Sequence, residues 1–425
     1  YTIFGKNPDK IWEFNNNNCY IIKNNKKKII RGNPKKLIEN IIENFNFKIP
    51  KPLPPLSSLI SGYFSYDIIR YIEKIPNSCK DDLKIPDARL IRPRTLVIHD
   101  NLEKKIYFIV NCFKDEKIID YKKKYLTIKK EIENLVFLSN YNLNINLNIS
   151  KNKSIKIKSN ISKKKFLSNV IKAKKYIKIG DIFQVVLSQR FEAKLKKNPI
   201  EIYKKLRITN PSPFMYFFNF EDFQIIGASP EILVRLRNDK ITIRPIAGTR
   251  PRGKNNKEDI AFEKDLLKDK KELAEHLMLL DLGRNDTGKV SKINSVRVTE
   301  KFKIERYSHV MHIVSNVVGI FNNKFTKFDT LLSGFPAGTV SGAPKIRAME
   351  IIDELEKSKR KMYAGSIGYF SANKNFDTCI ALRTALIKNR KFYIQSGAGI
   401  VADSIPEKEY LETVNKAKAL ISSLK

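Results

Sequence analysis

After residue 180, strand-like runs follow one another with little helix between them. DIFQVVLSQRFEA, FMYFFNF, FQIIGAS, EILVRL and KITIRPIAG are successive stretches rich in branched and aromatic residues. GSIGYFSA, DTCIALRTALI and KFYIQSGAGIV form a second group. Helices are expected over about 162–178, ending at Gly180, over about 259–281, after Pro344, and from about 406. Parallel neighbours need long crossovers, and few βαβ alternations are visible. The pattern therefore predicts an α+β fold of largely antiparallel β-sheets packed with helices, not a doubly wound one.

Three regions are expected. Residues 1–138 alternate short strand-like runs, such as TLVIHD and KKIYFIVNCF, with turns, a Pro-rich loop (KPLPPLSS, 51–58) and a lysine-rich helix near 115–136. Residues 139–160 are low in complexity, rich in Asn and Lys, and read as a linker; NLNINLN within them also has strand alternation. Residues 161–425 then form the catalytic region and residues 1–138 an N-terminal, regulatory one. Tyr1 rather than Met opens the sequence, so further residues are expected before it.

Composition narrows the function. With 42% hydrophobic residues the chain is ordinary for a globular protein, and no apolar run reaches the ~18 residues of a membrane span. The net charge is +37, but KNNKKKI, KKKYLTIKK and SKKK are scattered, without one stripe of basic and aromatic residues. Lys, Asn and Ile are abundant together, as AT-rich codons dictate, so the charge reads as compositional and no nucleic-acid or membrane partner is expected. Cys19, Cys79, Cys112 and Cys379 form no C-x-x-C pair, which fits a reducing cytoplasm.

FPAGTVSGAPK (335–345) concentrates two glycines and two prolines before a helical run, so something must approach the backbone there. It lacks Walker spacing, and GAGIVA (397–402) is followed by Pro406 rather than directly by a helix, so neither is a nucleotide site. Two carboxylate pairs stand out. Glu272 and Glu275 lie three apart on one helix face, and Glu409 and Glu412 repeat that spacing in the last helix, where Ser404 and Glu407 have capping-box spacing. Either pair alone suits a solvated helix face. Two in an acid-poor chain, with no Cys or His cluster, suit Mg²⁺, a hard cation that takes oxygen ligands.

FQVVLSQRF, NPSPFMYFF, GASPE, RPIAGTRPRG, ELAEHLMLLDLGRND, RYSHVMHIVS, FPAGTVSGAPKIRAMEIID, YAGSIGYF, DTCIALRTA, QSGAGIV and ETVNKA, all within 161–425, resemble the chorismate-utilising enzymes, and among them the anthranilate synthase component I branch. Only GYFSYD (62–67) carries the likeness clearly in the N-terminal part. The resemblance implies amination of chorismate at C2 with loss of the 4-hydroxyl, then elimination of pyruvate to leave anthranilate. It implies ammonia from a separate glutamine amidotransferase subunit, in a heterotetramer of two large and two small subunits, and a requirement for Mg²⁺. Mapped by motif, Glu275 and Glu412 would hold Mg²⁺, with Glu409 in support, and Glu272 would protonate the departing hydroxyl. His312 would assist elimination; taken alone it reads as a buried core histidine, as do His276 and His309. Gly397, Ala398 and Gly399 would offer amides to the enolpyruvyl carboxylate, with Arg383, Tyr363 and Lys416 as further contacts and Gly248 and Thr249 on the ring side.

Two positions separate the relatives. Water-using isochorismate and salicylate synthases place a lysine where Gln184 stands. Aminodeoxychorismate synthases, the alternative reading, carry a nucleophilic lysine where Ala247 stands. Neither Gln nor Ala can do that work. In the family, tryptophan binds an LLES-like motif together with NPSPYM. Here Pro213, Phe214 and Met215 are the candidate contacts, Phe214 replaces the usual tyrosine, and no LLES stretch occurs in the sequence, so weakened tryptophan inhibition is expected.

Overall fold

The computed structural model describes all residues except 17, 24–25, 117, 141–156, 196, 308–309 and 423–425. Its strands are β1 (Thr2–Asn15), β2 (Asn18–Lys23), β3 (Lys26–Ile30), β4 (Leu59–Phe64), β5 (Ala88–Asp100), β6 (Lys105–Val110), β7 (Ile157–Ser159), β8 (Gln184–Lys194), β9 (Phe214–Asn219) and β10 (Gln224–Ser229). They continue with β11 (Ile232–Arg237), β12 (Lys240–Ile243), β13 (Ile246–Pro251), β14 (Arg297–Arg306), β15 (Val310–Ile320), β16 (Gly342–Ala343), β17 (Ser366–Ser371), β18 (Phe376–Ile380), β19 (Thr384–Lys388) and β20 (Lys391–Ile400). The helices are α1 (Pro34–Asn44), α2 (Tyr121–Ser139), α3 (Lys163–Lys178), α4 (Pro199–Thr209), α5 (Asn256–Lys268), α6 (Lys270–Gly288), α7 (Lys327–Ser333), α8 (Lys345–Leu355) and α9 (Pro406–Ser422).

Two compact units interleave along the chain. The first takes residues 1–63, 88–148 and 368–376, the second 64–87, 149–367 and 377–425. In the first, strands run β4-β5-β1-β2-β3 with β6 on β5. The long β1–β5 pairing is antiparallel with one irregularity between Pro8 and Lys10. Its core includes Leu56, Leu59, Leu96, Ile98 and Ile109.

The second unit holds β13-β15-β12-β11-β18, with β14 on β15, and a separate sheet β16-β8-β20-β19-β10-β9 with β7 on β8. Phe166, Val170, Val185, Leu187, Ala348 and Ile351 bury the contact of α3 and α8 with that sheet. Ile202 and Leu206 of α4 and Ala417 and Leu420 of α9 join Ile226, Phe392 and Ile394 in another cluster. The pairing is antiparallel throughout these ladders, as expected. β20 lies along β8 from Lys391↔Lys194 to Ile400↔Val185, which puts residues 397–399 mid-sheet.

Several expected boundaries shift. The helix anticipated over 259–281 is two helices, broken at Asp269, which ends α5 and caps α6 by accepting from the Lys271 and Glu272 N–H groups at 3.1 and 3.3 Å. KITIRPIAG splits into β12 and β13 around Pro245, which has no N–H to give a ladder. DTCIALRTALI splits into β18 and β19, which belong to different sheets, and Arg383 turns the corner at φ 47°. The N-terminal lysine-rich helix starts at Tyr121, capped by Asp120, rather than near 115. Residues 157–159 of the expected linker form a strand on β8, while 141–156, including the NLNINLN alternation, lie outside the described residues. The β14–β15 pair was not expected; in β14 the half-buried positions include Glu300 and Glu305, which blur the alternation. Nor was α4, although Asn198 and Pro199 are legible start signals.

Asp269 is also bonded by Arg250 at 2.8 Å. Replacing it by Ala should cost about 0.5–2 kcal/mol of stability, read as a lower denaturant midpoint at unchanged slope. A midpoint equal to the parent would show that the cap does not hold the α5–α6 junction.

Candidate active site

The break at Asp269 fixes the first carboxylates. It places Glu272 in the first turn of α6 and Glu275 one turn on, on the same face. Glu409 and Glu412 sit in the first half of α9. The two helices bring these groups within each other's field. Burial raises the Glu275 carboxyl above its ordinary range, and the Glu272 and Glu412 charges add to the effect. Glu272 is raised by burial, by Asp269 and by Glu412, against Arg250 at 3.8 Å. Burial and Glu412 raise Glu409, which is bonded to Ser404. Like charges this close favour the protonated form, and an arriving cation would relieve them.

One cation is already there. Lys416 Nζ lies 2.6 Å from Glu412 Oε1 and donates to the Gly397 carbonyl at 3.1 Å, tying α9 to β20. Ser404 accepts from the Val401 N–H at 3.0 Å and Glu407 pairs with Lys163 at 3.1 Å, so each member of the expected capping box is engaged elsewhere. Among the described residues, no three His, Cys, Asp or Glu side chains converge as a metal cage.

The glycines of β20 face partners that leave no room for a Cβ. One on Gly397 would fall 2.6 Å from the Tyr363 hydroxyl, and one on Gly399 2.5 Å from Gln184 Nε2. Ala398, between them, points into the core and is fully buried. Tyr363 is buried, and burial together with the nearby Glu356 and Glu412 carboxylates keeps its hydroxyl protonated.

β13 and β15 supply the second wall. Thr249 lies opposite His312 in the ladder, and a Cβ on Gly248 would come 3.3 Å from Glu272 Oε2. His312 Nδ1 is 2.9 Å from the Gly248 carbonyl and 3.1 Å from Thr249 Oγ1. A carbonyl can only accept, so Nδ1 carries the proton and Nε2 keeps its lone pair. Burial lowers the His312 pKa, and Arg383 adds to this, so the ring is neutral at pH 7. Arg383, at its strained corner, is itself lowered by burial and has no hydrogen-bonded or ion-paired side-chain partner among the described residues. His276 differs: it is fully buried, 2.7 Å from Ser315 Oγ, edge-on to Phe302, and pushed down to about 4 by burial. That is a core histidine. His309 lies outside the described residues.

Pro213, Phe214 and Met215 lead into β9, where Phe214 and Met215 pair with Ser229 and Ala228 of β10. Among the described residues no hydrogen bond or ring contact joins them to the carboxylates, and Met215 packs on the core beneath α4.

Two residues beyond the expected set belong to this wall. Glu231, from GASPE, is buried with no ion-paired cation among the described residues, accepts from Thr339 Oγ1 at 3.4 Å and from the Ile246 N–H, and is pushed up to about 8 by burial. Thr339 lies inside FPAGTVSGAPK, which answers what that segment approaches. Gly338 packs on Leu282 of α6 and Gly342 (φ 140°) on the Gln184 carbonyl, while Lys345 is anchored to Asp286 at 2.9 Å. GASPE carried the signal for Glu231. A single acid beside a proline did not announce its burial.

Residues 6–422 match the chorismate binding enzyme family, and the chain belongs to it. It is 47% identical over 425 residues to anthranilate synthase component 1 of Cereibacter sphaeroides, covering 99% of this chain and 85% of that one. The same identity holds over 429 residues with anthranilate synthase component 1 of Acetivibrio thermocellus, covering 100% and 87%. The crystal structure of anthranilate synthase component I from Streptococcus pneumoniae superposes with a TM-score of 0.88 at 38% identity, over 99% of this chain and 91% of that one.

Glu231 also gives a stability test. Its carboxyl titrates at about 8 in the fold and near 4.5 when unfolded. Its contribution to stability is complete below pH 4.5 and is lost as pH climbs through 8. Glu231→Gln should therefore gain stability relative to the parent between pH 5 and pH 8, measured by urea midpoints. A constant difference over that range would refute the buried, proton-holding carboxyl.

Proposed function

We propose that this chain is the large subunit of an anthranilate synthase, converting chorismate and ammonia to anthranilate and pyruvate. The observation that carries the reading is one site where a half-buried guanidinium with no hydrogen-bonded or ion-paired side-chain partner among the described residues, Arg383, joins carboxyls whose pKa values burial and neighbouring acids raise. Chorismate is a dianion and needs such a cation, with aimed amides and a metal for its second carboxylate. Relatives at 47% identity over the whole chain carry the same function in their names.

Glu275 and Glu412 are the proposed ligands of Mg²⁺, with Glu409 in support. An all-oxygen donor set that falls short of a cage fits a hard cation that completes its shell with water and substrate oxygens. Once bound, Mg²⁺ neutralises a substrate carboxylate. Arg383 and the Gly397–Gly399 amides, with Tyr363 and Lys416, bind the enolpyruvyl carboxylate, and Gly248 and Thr249 flank the ring. Neutral His312 offers Nε2 as the base of the elimination step.

The departing 4-hydroxyl needs a proton. Glu231, pushed up to about 8 by burial, holds one at neutral pH and is assigned that role. Glu272 is the second reading, supported by its raised pKa and its approach to Gly248. Glu231→Gln should lower kcat about 10²–10⁴-fold with little change in the KM for chorismate. A drop of that size in Glu272→Gln and not in Glu231→Gln would reverse the assignment.

Ala247, opposite Ile313 in β13, has no amine to attack the ring, which favours anthranilate over aminodeoxychorismate as product. Ammonia is proposed to come from a glutamine amidotransferase subunit in a heterotetramer. The cytoplasm suits the four free cysteines. Pro213, Phe214 and Met215 remain the proposed tryptophan contacts, with weakened inhibition. Chorismate, Mg²⁺ and ammonium with the purified chain should yield anthranilate fluorescence, abolished in Glu412→Ala. Accumulation of 4-amino-4-deoxychorismate instead would contradict the reading.

A further inference from the structure

His312 stands in the middle of three strands. β15 lies between β13 and β14, and in the two ladders Thr249 sits opposite His312 on one side and Glu305 on the other. Residues directly opposite in an antiparallel pair share a face, with Cβ atoms about 5 Å apart. Thr249 and the Gly248 carbonyl engage His312 Nδ1. Glu305 stands on the same face of the sheet and is tied to the ring by a different route.

Both oxygens of Glu305 are held. Oε1 accepts from Arg244, a guanidinium shared with Glu300 at 2.9 Å, and Oε2 accepts from the Tyr307 hydroxyl at 2.8 Å. The Tyr307 ring meets the His312 ring edge-on, with centroids 5.6 Å apart at 62°. The Tyr307 backbone is fixed as well. Its N–H donates to the Val310 carbonyl at 2.8 Å, and its carbonyl accepts from Arg252 Nη1 at 2.6 Å, in a guanidinium that Asp259 holds. Arg244, Glu305, Tyr307 and His312 thus form one chain of contacts, all within the second compact unit.

The elimination step gives this chain of contacts a task. Nε2 takes the proton from the aminated ring carbon, the C–H electron pair completes the aromatic ring, and the ether C–O bond breaks with its pair leaving on the enolate oxygen of pyruvate. The enolate then takes up a proton to become pyruvate. His312 is left as an imidazolium, whose charge burial and Arg383 oppose and Glu305 favours.

We propose that Glu305 and Tyr307 are positioning residues for His312: the Glu305 carboxylate, clamped by Arg244, faces the imidazolium formed in the elimination, and the Tyr307 ring fixes the orientation of the imidazole. The inference rests on the proposed role of His312 as the base of that step. Neither residue touches the reacting atoms, and the amination that comes first draws on neither.

The test is a single-turnover quench of the full chain with chorismate, Mg²⁺ and ammonium chloride, which separates loss of chorismate from formation of anthranilate. Glu305→Gln keeps an oxygen for the Tyr307 hydroxyl and leaves Arg244 its Glu300 partner, but removes the charge. It should slow elimination about tenfold, the worth of one half-buried charge at this range, so that the aminated, not yet aromatic intermediate accumulates. Loss of chorismate and the KM for chorismate should stay within about twofold. Glu305→Asp, which keeps the charge, should recover part of the elimination rate. Tyr307→Phe, which keeps the ring and releases Glu305, should shift the same ratio in the same direction and serves if the Glu305 variants misfold. A parental ratio of intermediate to anthranilate in folded Glu305→Gln, or equal slowing of both steps with a lower melting temperature, would overturn the pair and leave the chorismate reading standing. His312→Gln should accumulate the same intermediate; parental elimination there would overturn the base assignment and the pair together. A parent that makes no anthranilate would sink the proposed function and this inference with it.

Discussion

Like charges forced together are what the rest of this architecture serves. Four glutamates from α6 and α9 share one region, and burial denies Glu272, Glu275 and Glu409 much of the water that would screen them. Left alone, such a cluster costs stability, because each ionised group raises the work of ionising the next. The fold holds it with Asp269 capping α6, Arg250 bracing that cap, and Lys416 tying Glu412 to β20. Each fixes a backbone or a helix end rather than neutralising the cluster completely. What remains is an unmet demand for positive charge, opposite an unmet demand for negative charge at Arg383. A substrate with two carboxylates and a divalent cation answers both together.

The glycine-rich segment contributes in a different way. Its glycines are packing devices, since Gly338 and Gly342 let the chain press against α6 and β8. That contact carries Thr339 to Glu231, and the Lys345–Asp286 pair pins the segment at the far end of the helix whose first turn holds Glu272. One short segment thus couples the position of α6 to the environment of a carboxyl that keeps its proton at neutral pH. Strain is stored nearby too, at Arg383, whose left-handed backbone turns the chain from one sheet into the other.

Much of this was legible in the sequence. The grouping of strands gave the antiparallel α+β class, and the i, i+3 glutamates gave the two carboxylate faces without any coordinates. Ser162 and Gly180 bounded α3 well, because caps and breakers are local. What stayed hidden depended on tertiary context. Asp269 reads as one more acid in a helical run until its side chain is seen capping. The bend at Arg383 has no glycine to mark it. Glu231 looked like a polar residue at a strand start, and only the sheet packed over it shows that it is buried. Gln184 was noticed for what it is not, a lysine, while its unpartnered carbonyl is a property of the fold.

The most direct measurement is calorimetric titration of Mg²⁺ into the chain at about pH 5.5, in buffers of different ionisation enthalpy. If the carboxyls of α6 and α9 hold protons that a metal must displace, binding releases protons, and the observed heat changes with the buffer. The account predicts that release, and its loss in Glu275→Ala and Glu412→Ala. Binding that is buffer-independent, or that survives both substitutions unchanged, would contradict a shared carboxylate site.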